Sequence, residues 1–410
     1  MNNQIRLLKV NIEGVQLFEN NNFAMQLINH QNVHRDNDSE NMINLFSSVY
    51  LPRLIGLVGI NAAGKTSSLR LMAWILRVFL CNEGLADEDF EQVYEILSEN
   101  VTVEIHYVLH DVIYFQRSLI NLNRLNRTYA FSNEVIYART LDAKLIRKNL
   151  FDINRYRELY TRSELDTNVR TFLEDQKSIA RLVIGKVNVN VVDLTAHERW
   201  FPEASSATQD LISIVRFLDH SVEELSPIQG YERTNRLTDE TLFQFKFTGG
   251  EMMLVRWSEV LGMLSSGTKK GIELFQLIKE TLHKGGYLII DEIENHFNKS
   301  IVVDIYKLFR SDKTNPLGAM LIFSTHYTEL MDDFERNDQI YINAKSHDFK
   351  RIRVMNLSEL IRRTDLKKSE VYFSNALDIG TSTRYDRYMD LQRYLTNKDE
   401  SLGERHGIKE

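Results

Sequence analysis

At 410 residues, with 43% apolar and 26% charged side chains, the chain has the make-up of a folded protein of two or three domains, or of one large domain carrying insertions. A net charge of −7 argues against a basic surface spread over the molecule, so DNA binding is the lesser reading and would need a local patch. The single cysteine, Cys81, excludes a disulfide framework and any cysteine-ligated zinc or iron–sulfur site, as in a reducing compartment.

The opening residues, MNNQIRLLKVNIEG, carry no apolar core of signal-peptide length, and they are expected to pair as a strand with NFAMQLIN. NHQNVHRDNDSENMIN is polar and turn-rich, the pattern of a loop. RLIGLVG is a continuous apolar run, expected of a strand buried on both faces. The helix after it carries Leu69, Met72, Ile75, Leu76 and Phe79 on one face. Its apolar stretch, Leu71 to Cys81, is interrupted by Arg77 and is too short to span a bilayer, so no membrane association is expected and the cytoplasm is the expected location.

VTVEIHYVLH, VIYFQRSLI and RTYAFSNEVIYART predict a short antiparallel set. From about Leu141 to Pro227 the pattern turns to helical periodicity with many charges, as in TQDLISIVRFLDHSVEEL. ETLFQFKFTGGEMMLVRW predicts a hairpin turning at Gly249-Gly250. An alternating α/β pattern follows: helix Gly271 to Leu282, strand Tyr287 to Ile290, helix Lys299 to Phe309, strand Ala319 to Ser324. The expected division is an α/β core in two halves (1–140 and 233–355), a helical insertion (141–232) and a C-terminal helical extension (356–410). There are no sustained heptads, which argues against a long coiled-coil arm.

GINAAGKT, Gly59 to Thr66, matches the phosphate-loop pattern G-x-x-x-x-G-K-[ST] between an apolar strand and an amphipathic helix, the context that motif requires. Gly59, Asn61, Ala62, Ala63, Gly64, Lys65, Thr66 and Ser67 are the expected ATP contacts. The glycines let backbone amides turn toward phosphate, Lys65 reaches the β- and γ-phosphates, and the Thr66 hydroxyl ligates Mg²⁺. In YLIIDEIEN, a buried strand ends in Asp291-Glu292, at the end of an open sheet where ligands bind. Asp291 is the expected second metal-shell group and Glu292 the base that polarises the attacking water. Glu294 either lines the same site or starts a helix in solvent. AMLIFSTHYTEL supplies a third strand whose polar end includes His326, placed to hydrogen-bond a γ-phosphate.

LSSGTKKGI reads as a loop running into a helix whose first amides can hold an anion, here Ser265, Ser266 and Gly267. One γ-phosphate needs one primary cradle. A second is expected to close over the ATP of another subunit, in two copies packed head to tail.

The order phosphate loop, LSSG, acidic strand end and histidine resembles that of ABC-class ATPases, an α/β fold with a mixed sheet and an antiparallel β subdomain. YLPRLIGLVGINAAGKTSSLRLM, MLSSGTKKGIELF, GGYLIIDEIENHF, GAMLIFSTHYTELMD and RNDQIYI are similar to the SMC, RecF and OLD branch, and within it to AAA ATPases related to AbiL and RloA in bacterial phage defence. The resemblance covers about half the chain. It implies ATP and Mg²⁺ as cofactors, ATP hydrolysis, head-to-tail dimers or larger assemblies, and a separate effector such as a TOPRIM-like nuclease or toxin. The segment DEIENHFNKS departs from the family's usual proline, and the Q-loop glutamine is not assignable: Gln116 in YFQRS is a candidate by position, but an ordinary strand residue is the favoured reading. The competing functions are a DNA-repair ATPase of the RecF and SMC type and a transporter's nucleotide-binding subunit. The acidic charge and missing coiled coil weigh against the first, and the divergent LSSGT loop and the insertion against the second.

Overall fold

A computed structural model describes residues 4–33, 41–142, 145–195, 209–228, 242–295, 297–346, 350–361, 363, 366–373, 389 and 392–395. In chain order, β1 (Arg6–Val15) pairs antiparallel with β2 (Asn22–Gln26), and β3 (Met42–Phe46) with β4 (Val49–Pro52). β5 (Leu54–Val58) leads into helix α1 (Lys65–Ile75), which continues through a π-helical turn at Leu76–Leu80. β6 (Leu97–Leu109), β7 (Val112–Asn123) and β8 (Thr128–Thr140) form an antiparallel meander, extended by β9 (Arg157–Thr161). β10 (Val191–Leu194), α2 (Gln209–Leu218) and β11 (Val222–Pro227) follow. β12 (Leu242–Phe247) and β13 (Met253–Arg256) make the expected hairpin, with Gly249 at φ 75° in its turn. The rest is α3 (Trp257–Met263), α4 (Ser266–Lys284), β14 (Tyr287–Ile290), α5 (Lys299–Arg310), β15 (Met320–Thr325), β16 (Ile340–Lys345) and β17 (Ile352–Asn356).

The central sheet runs β10-β14-β15-β5-β16-β17, parallel except for its last strand, and a second sheet runs β2-β1-β6-β7-β8-β9, antiparallel throughout. This is the mixed α/β fold of a P-loop ATPase. Every residue of β5, β14 and β15 is buried, as an apolar run without alternation requires. The period-2 geometry of a strand then divides them between two cores. Ile55, Leu57, Tyr287, Ile289, Met320 and Ile322 pack with Leu69 and Met72 of α1 and with the antiparallel sheet. Leu54, Val58, Leu288, Ile290, Leu321 and Phe323 pack on the other side with Leu274 and Ile278 of α4 and Val302 and Ile305 of α5. A sheet clamped this way holds its strand ends at fixed separations.

Two expectations need correction. The described part of the segment 141–232 does carry helices, at Thr167–Leu173, Arg181–Ile184 and Gln209–Leu218, but it is not purely helical, because β9, β10 and β11 join three different sheets. In SVEEL the spacing of Val222 and Leu225 suits a helix, but β11 pairs with β12, and a register shift between Val222 and Glu224 lets both residues be buried. Likewise Met42–Asn44, at the end of the expected loop, pair with Tyr50–Pro52. Among the described residues no helix is long and apolar enough to cross a membrane.

Candidate functional site

The phosphate loop joins β5 to α1, and its glycines are there for steric reasons. A Cβ on Gly59 would lie 2.3 Å from the Asn343 carbonyl oxygen, and one on Gly64, at φ 81°, would lie 2.1 Å from Cδ1 of Ile352. Ala62 also sits in the left-handed region, at φ 59°. No side chain caps α1, whose N-cap is Gly64, so its first-turn amides stay available to an anion. Asn343 on β16 donates to Ser68 Oγ at 2.8 Å, and Ser68 Oγ donates back to the Gly64 carbonyl at 3.0 Å, which ties the loop to the neighbouring strand.

Lys65 is 5% exposed, and its ammonium bonds the carbonyls of Gly59 (2.9 Å) and Ile60 (3.2 Å) and Nδ1 of His326 (2.9 Å). Burial pulls its pKa down to about 8, against the opposing charges of Glu292, Asp291 and Glu294. Nε2 of His326 lies 2.8 Å from Glu292 Oε1. One tautomer satisfies both contacts, with Nε2–H donating to Glu292 and Nδ1 accepting from Lys65. The bond from His326 is the first cause holding the Glu292 carboxyl below its ordinary range. Glu292 itself is at φ 47°, a conformation that costs about 1 kcal/mol or more for a non-glycine residue. It is held there by its own amide donating to Ser324 Oγ at 2.8 Å and by Asn295 donating to Oε2 at 2.5 Å.

Thr66 Oγ1 donates to Asp291 Oδ2 at 2.6 Å, and Ser324 Oγ donates to Asp291 Oδ1. A hydroxyl and a carboxylate side by side are hard oxygen donors of the kind Mg²⁺ takes. Among the described residues no group of three or more His, Cys, Asp or Glu could hold a metal.

Asn61, Ala62, Ala63, Gly64, Lys65, Thr66, Ser67, Glu292 and His326 line one cavity of about 300 Å³. Asp291 stands behind Thr66, and Gly59 supports the loop from beneath Lys65. Glu294 serves from the rear, its Oε1 accepting from the His326 amide. Leu17, Lys345 and Ile352 also line the cavity and carry no motif that marks them in advance. Ser324, which aligns both Asp291 and Glu292, shows in the sequence only as the polar end of a strand.

Ser265, Ser266 and Gly267 do not line this cavity. They are exposed, and Ser265 Oγ caps its own helix by accepting from the Thr268 amide at 3.0 Å. Gln116 is no Q-loop residue. It is wholly buried on β7, where Nε2 donates to Glu134 Oε1 (2.9 Å) and to Ser178 Oγ (2.7 Å). His296, beside Glu294 in the sequence, lies outside the described residues.

Across the nucleotide-binding core the chain matches a family described as "AAA domain, putative AbiEii toxin, Type IV TA system", over residues 54–332, more than half its length. The chain belongs to this family of AAA-domain P-loop ATPases. The matched span takes in the phosphate loop, the Ser265–Gly267 loop, the Asp291-Glu292 strand end and His326. No curated protein matches the chain.

Proposed function

We propose that the protein is an ATP-hydrolysing switch of bacterial phage defence, of the AbiL and RloA type, acting as a head-to-tail dimer or higher oligomer that controls a separate effector. The observation that carries this reading is a cavity lined by Lys65, Thr66, Glu292 and His326, with Asp291 bonded behind Thr66, that leaves the Ser265–Gly267 loop in solvent. The family's association with toxin–antitoxin systems favours the defence role over DNA repair.

Thr66 and Asp291 would hold Mg²⁺, which would neutralise phosphate charge. Lys65 leaves the Gly59 and Ile60 carbonyls for the phosphates, and the amides at the start of α1 face the same anion. Glu292 orients a water and takes its proton, with His326 fixing the carboxylate. A second chain's Ser266 and Gly267 close the site from the far side once the first chain has bound ATP, so pairing completes the site for hydrolysis. The effector is a TOPRIM-like nuclease or toxin supplied by another chain.

Glu292→Gln tests this directly. Turnover is expected to fall by at least about 10²-fold, and ATP is expected to shift the variant's mass by light scattering from monomer to dimer. Undiminished turnover, or a monomer whose mass ignores ATP, would overturn the reading.

A further inference from the structure

A second cavity, also about 300 Å³, lies at the opposite end of the central sheet. Arg53 precedes the first residue of β5 and Gly318 lies just before β15, whereas the phosphate loop and His326 follow the far ends of those strands. Five residues of β5 separate the two cavities by about 17 Å.

The lining is basic. Arg6 and Arg53 are each 6% exposed, His110 stands at the exposed β6–β7 turn, and no carboxylate lines the cavity. Arg53 is paired, through its bond to Asp312. Arg6 is not. Its Nη2 donates to the Leu317 carbonyl at 2.5 Å and to Gln4, but its Nη1 is buried without a hydrogen-bond partner. Among the described residues no carboxylate makes an ion pair with Arg6. Burial pulls the Arg6 guanidinium below its ordinary value, Tyr287 opposes this, and the charge of Arg53 adds to the burial effect. A buried, uncompensated cation in a protein of net charge −7 is a costly arrangement unless an anion completes it.

The walls are shaped to take more than a bare ion. Ile43 and Leu45 present one face of β3 to the cavity. Gly318, at φ 63°, leaves room that a Cβ would fill, 2.9 Å from Ile43 Cδ1 and 3.1 Å from Arg6 Nη2.

We propose that this cavity is a second ligand site, distinct from the nucleotide site, for a small organic anion whose phosphate or carboxylate head sits on Arg6 beside Arg53 and whose apolar body lies against Ile43 and Leu45. Because β5 and β15 run from this pocket to the phosphate loop and His326, its occupant adjoins the same strands that position the ATPase residues.

The test is titration calorimetry on full-length protein with inorganic phosphate, glycerol 3-phosphate and succinate as probes. The Lys65→Ala background weakens phosphate binding at the nucleotide site, and whatever remains there is indifferent to His110→Glu and Arg6→Met. Saturable binding of at least one probe is expected there, with an organic probe tighter than inorganic phosphate if the apolar wall contributes. His110→Glu, on an exposed turn, is expected to weaken that binding about tenfold by repulsion. Arg6→Met is expected to abolish it. Should Arg6→Met fail to fold, His110→Glu decides alone. Salting-out stabilisation by phosphate does not saturate and is common to all variants, so it cannot imitate this result. No saturable binding of any probe in Lys65→Ala, or binding indifferent to both His110→Glu and Arg6→Met, would overturn the site. Failure of this test leaves the Glu292→Gln test of ATP hydrolysis untouched.

Discussion

Two helix starts in this molecule look alike in sequence, each a run of small residues leading into lysine, yet they are built for different uses. The start of α1 follows Gly64, has no side-chain cap and opens into a cavity beside a buried lysine and two carboxylates. The start of α4 follows Ser265, is capped by that serine's own hydroxyl and lies exposed. The first leaves its amides without a side-chain cap, and its shape is enforced by contacts to Asn343 and Ile352. The second has met part of its own demand and stands exposed. An amide-rich helix start becomes a phosphate site only when something concave surrounds it. For α4, the proposed function assigns that role to a second subunit.

The sharpest way to break this comparison is to disable each start separately. Lys65→Ala removes the cation at the first, and should lower both ATP affinity and turnover, the latter by at least about 10²-fold. Ser266→Arg adds bulk and charge to the second. It should abolish turnover to a similar degree while ATP binding, followed by calorimetry on the monomer, stays at the wild-type value. Loss of ATP binding in Ser266→Arg would place the loop in its own chain's site and dissolve the distinction.

What could be read in advance follows the same divide. The phosphate loop, Asp291-Glu292 and His326 were legible because each is a short local pattern at a strand's end, and a parallel sheet brings such ends together. Ser324 was legible only as a polar residue, since its work on Asp291 and on the Glu292 amide exists only once β14 and β15 pair. Leu17, Lys345 and Ile352 reach the cavity from distant segments with no spacing to connect them. β10 escaped because four residues, Val191–Leu194, carry too little periodicity to stand out from a helical neighbourhood. Gln116 shows the opposite case. A polar residue on an apolar strand can suggest a site, but here its amide nitrogen faces Ser118, Glu134 and Ser178 inside the core, as for an ordinary strand residue.

A smaller effect is expected from pH, and only at the first start. Lys65 has its folded pKa lowered from 10.5 to about 8. Between those values the unfolded chain binds more protons than the folded one, so this residue's contribution to stability rises with pH there and is flat below. Ligand binding runs the other way, because phosphate requires the charged amine. ATP affinity should be constant below about pH 8 and weaken above it, by up to about tenfold per pH unit. Binding at pH above 8 should therefore take up a proton, visible as a calorimetric enthalpy that depends on the buffer's ionisation heat. Lys65→Arg, which stays charged, should lose that dependence. Buffer-independent heats in the wild type would show that Lys65 is fully charged in the free site.

The smallest effect separates capping from catalysis at the second start. Ser265→Ala deletes the hydroxyl that accepts from the Thr268 amide, and should lower stability by about 1 kcal/mol, read from urea denaturation. Ser265→Asp keeps an acceptor at that position and should restore the stability. It also puts a carboxylate where the partner's γ-phosphate would approach, so its turnover should fall below that of Ser265→Ala although it is the more stable protein. That inversion of stability and activity is what a loop serving another subunit's nucleotide predicts. If turnover instead tracked stability through the pair, Ser265 would be a helix cap alone, and the shared site would rest on Ser266 and Gly267.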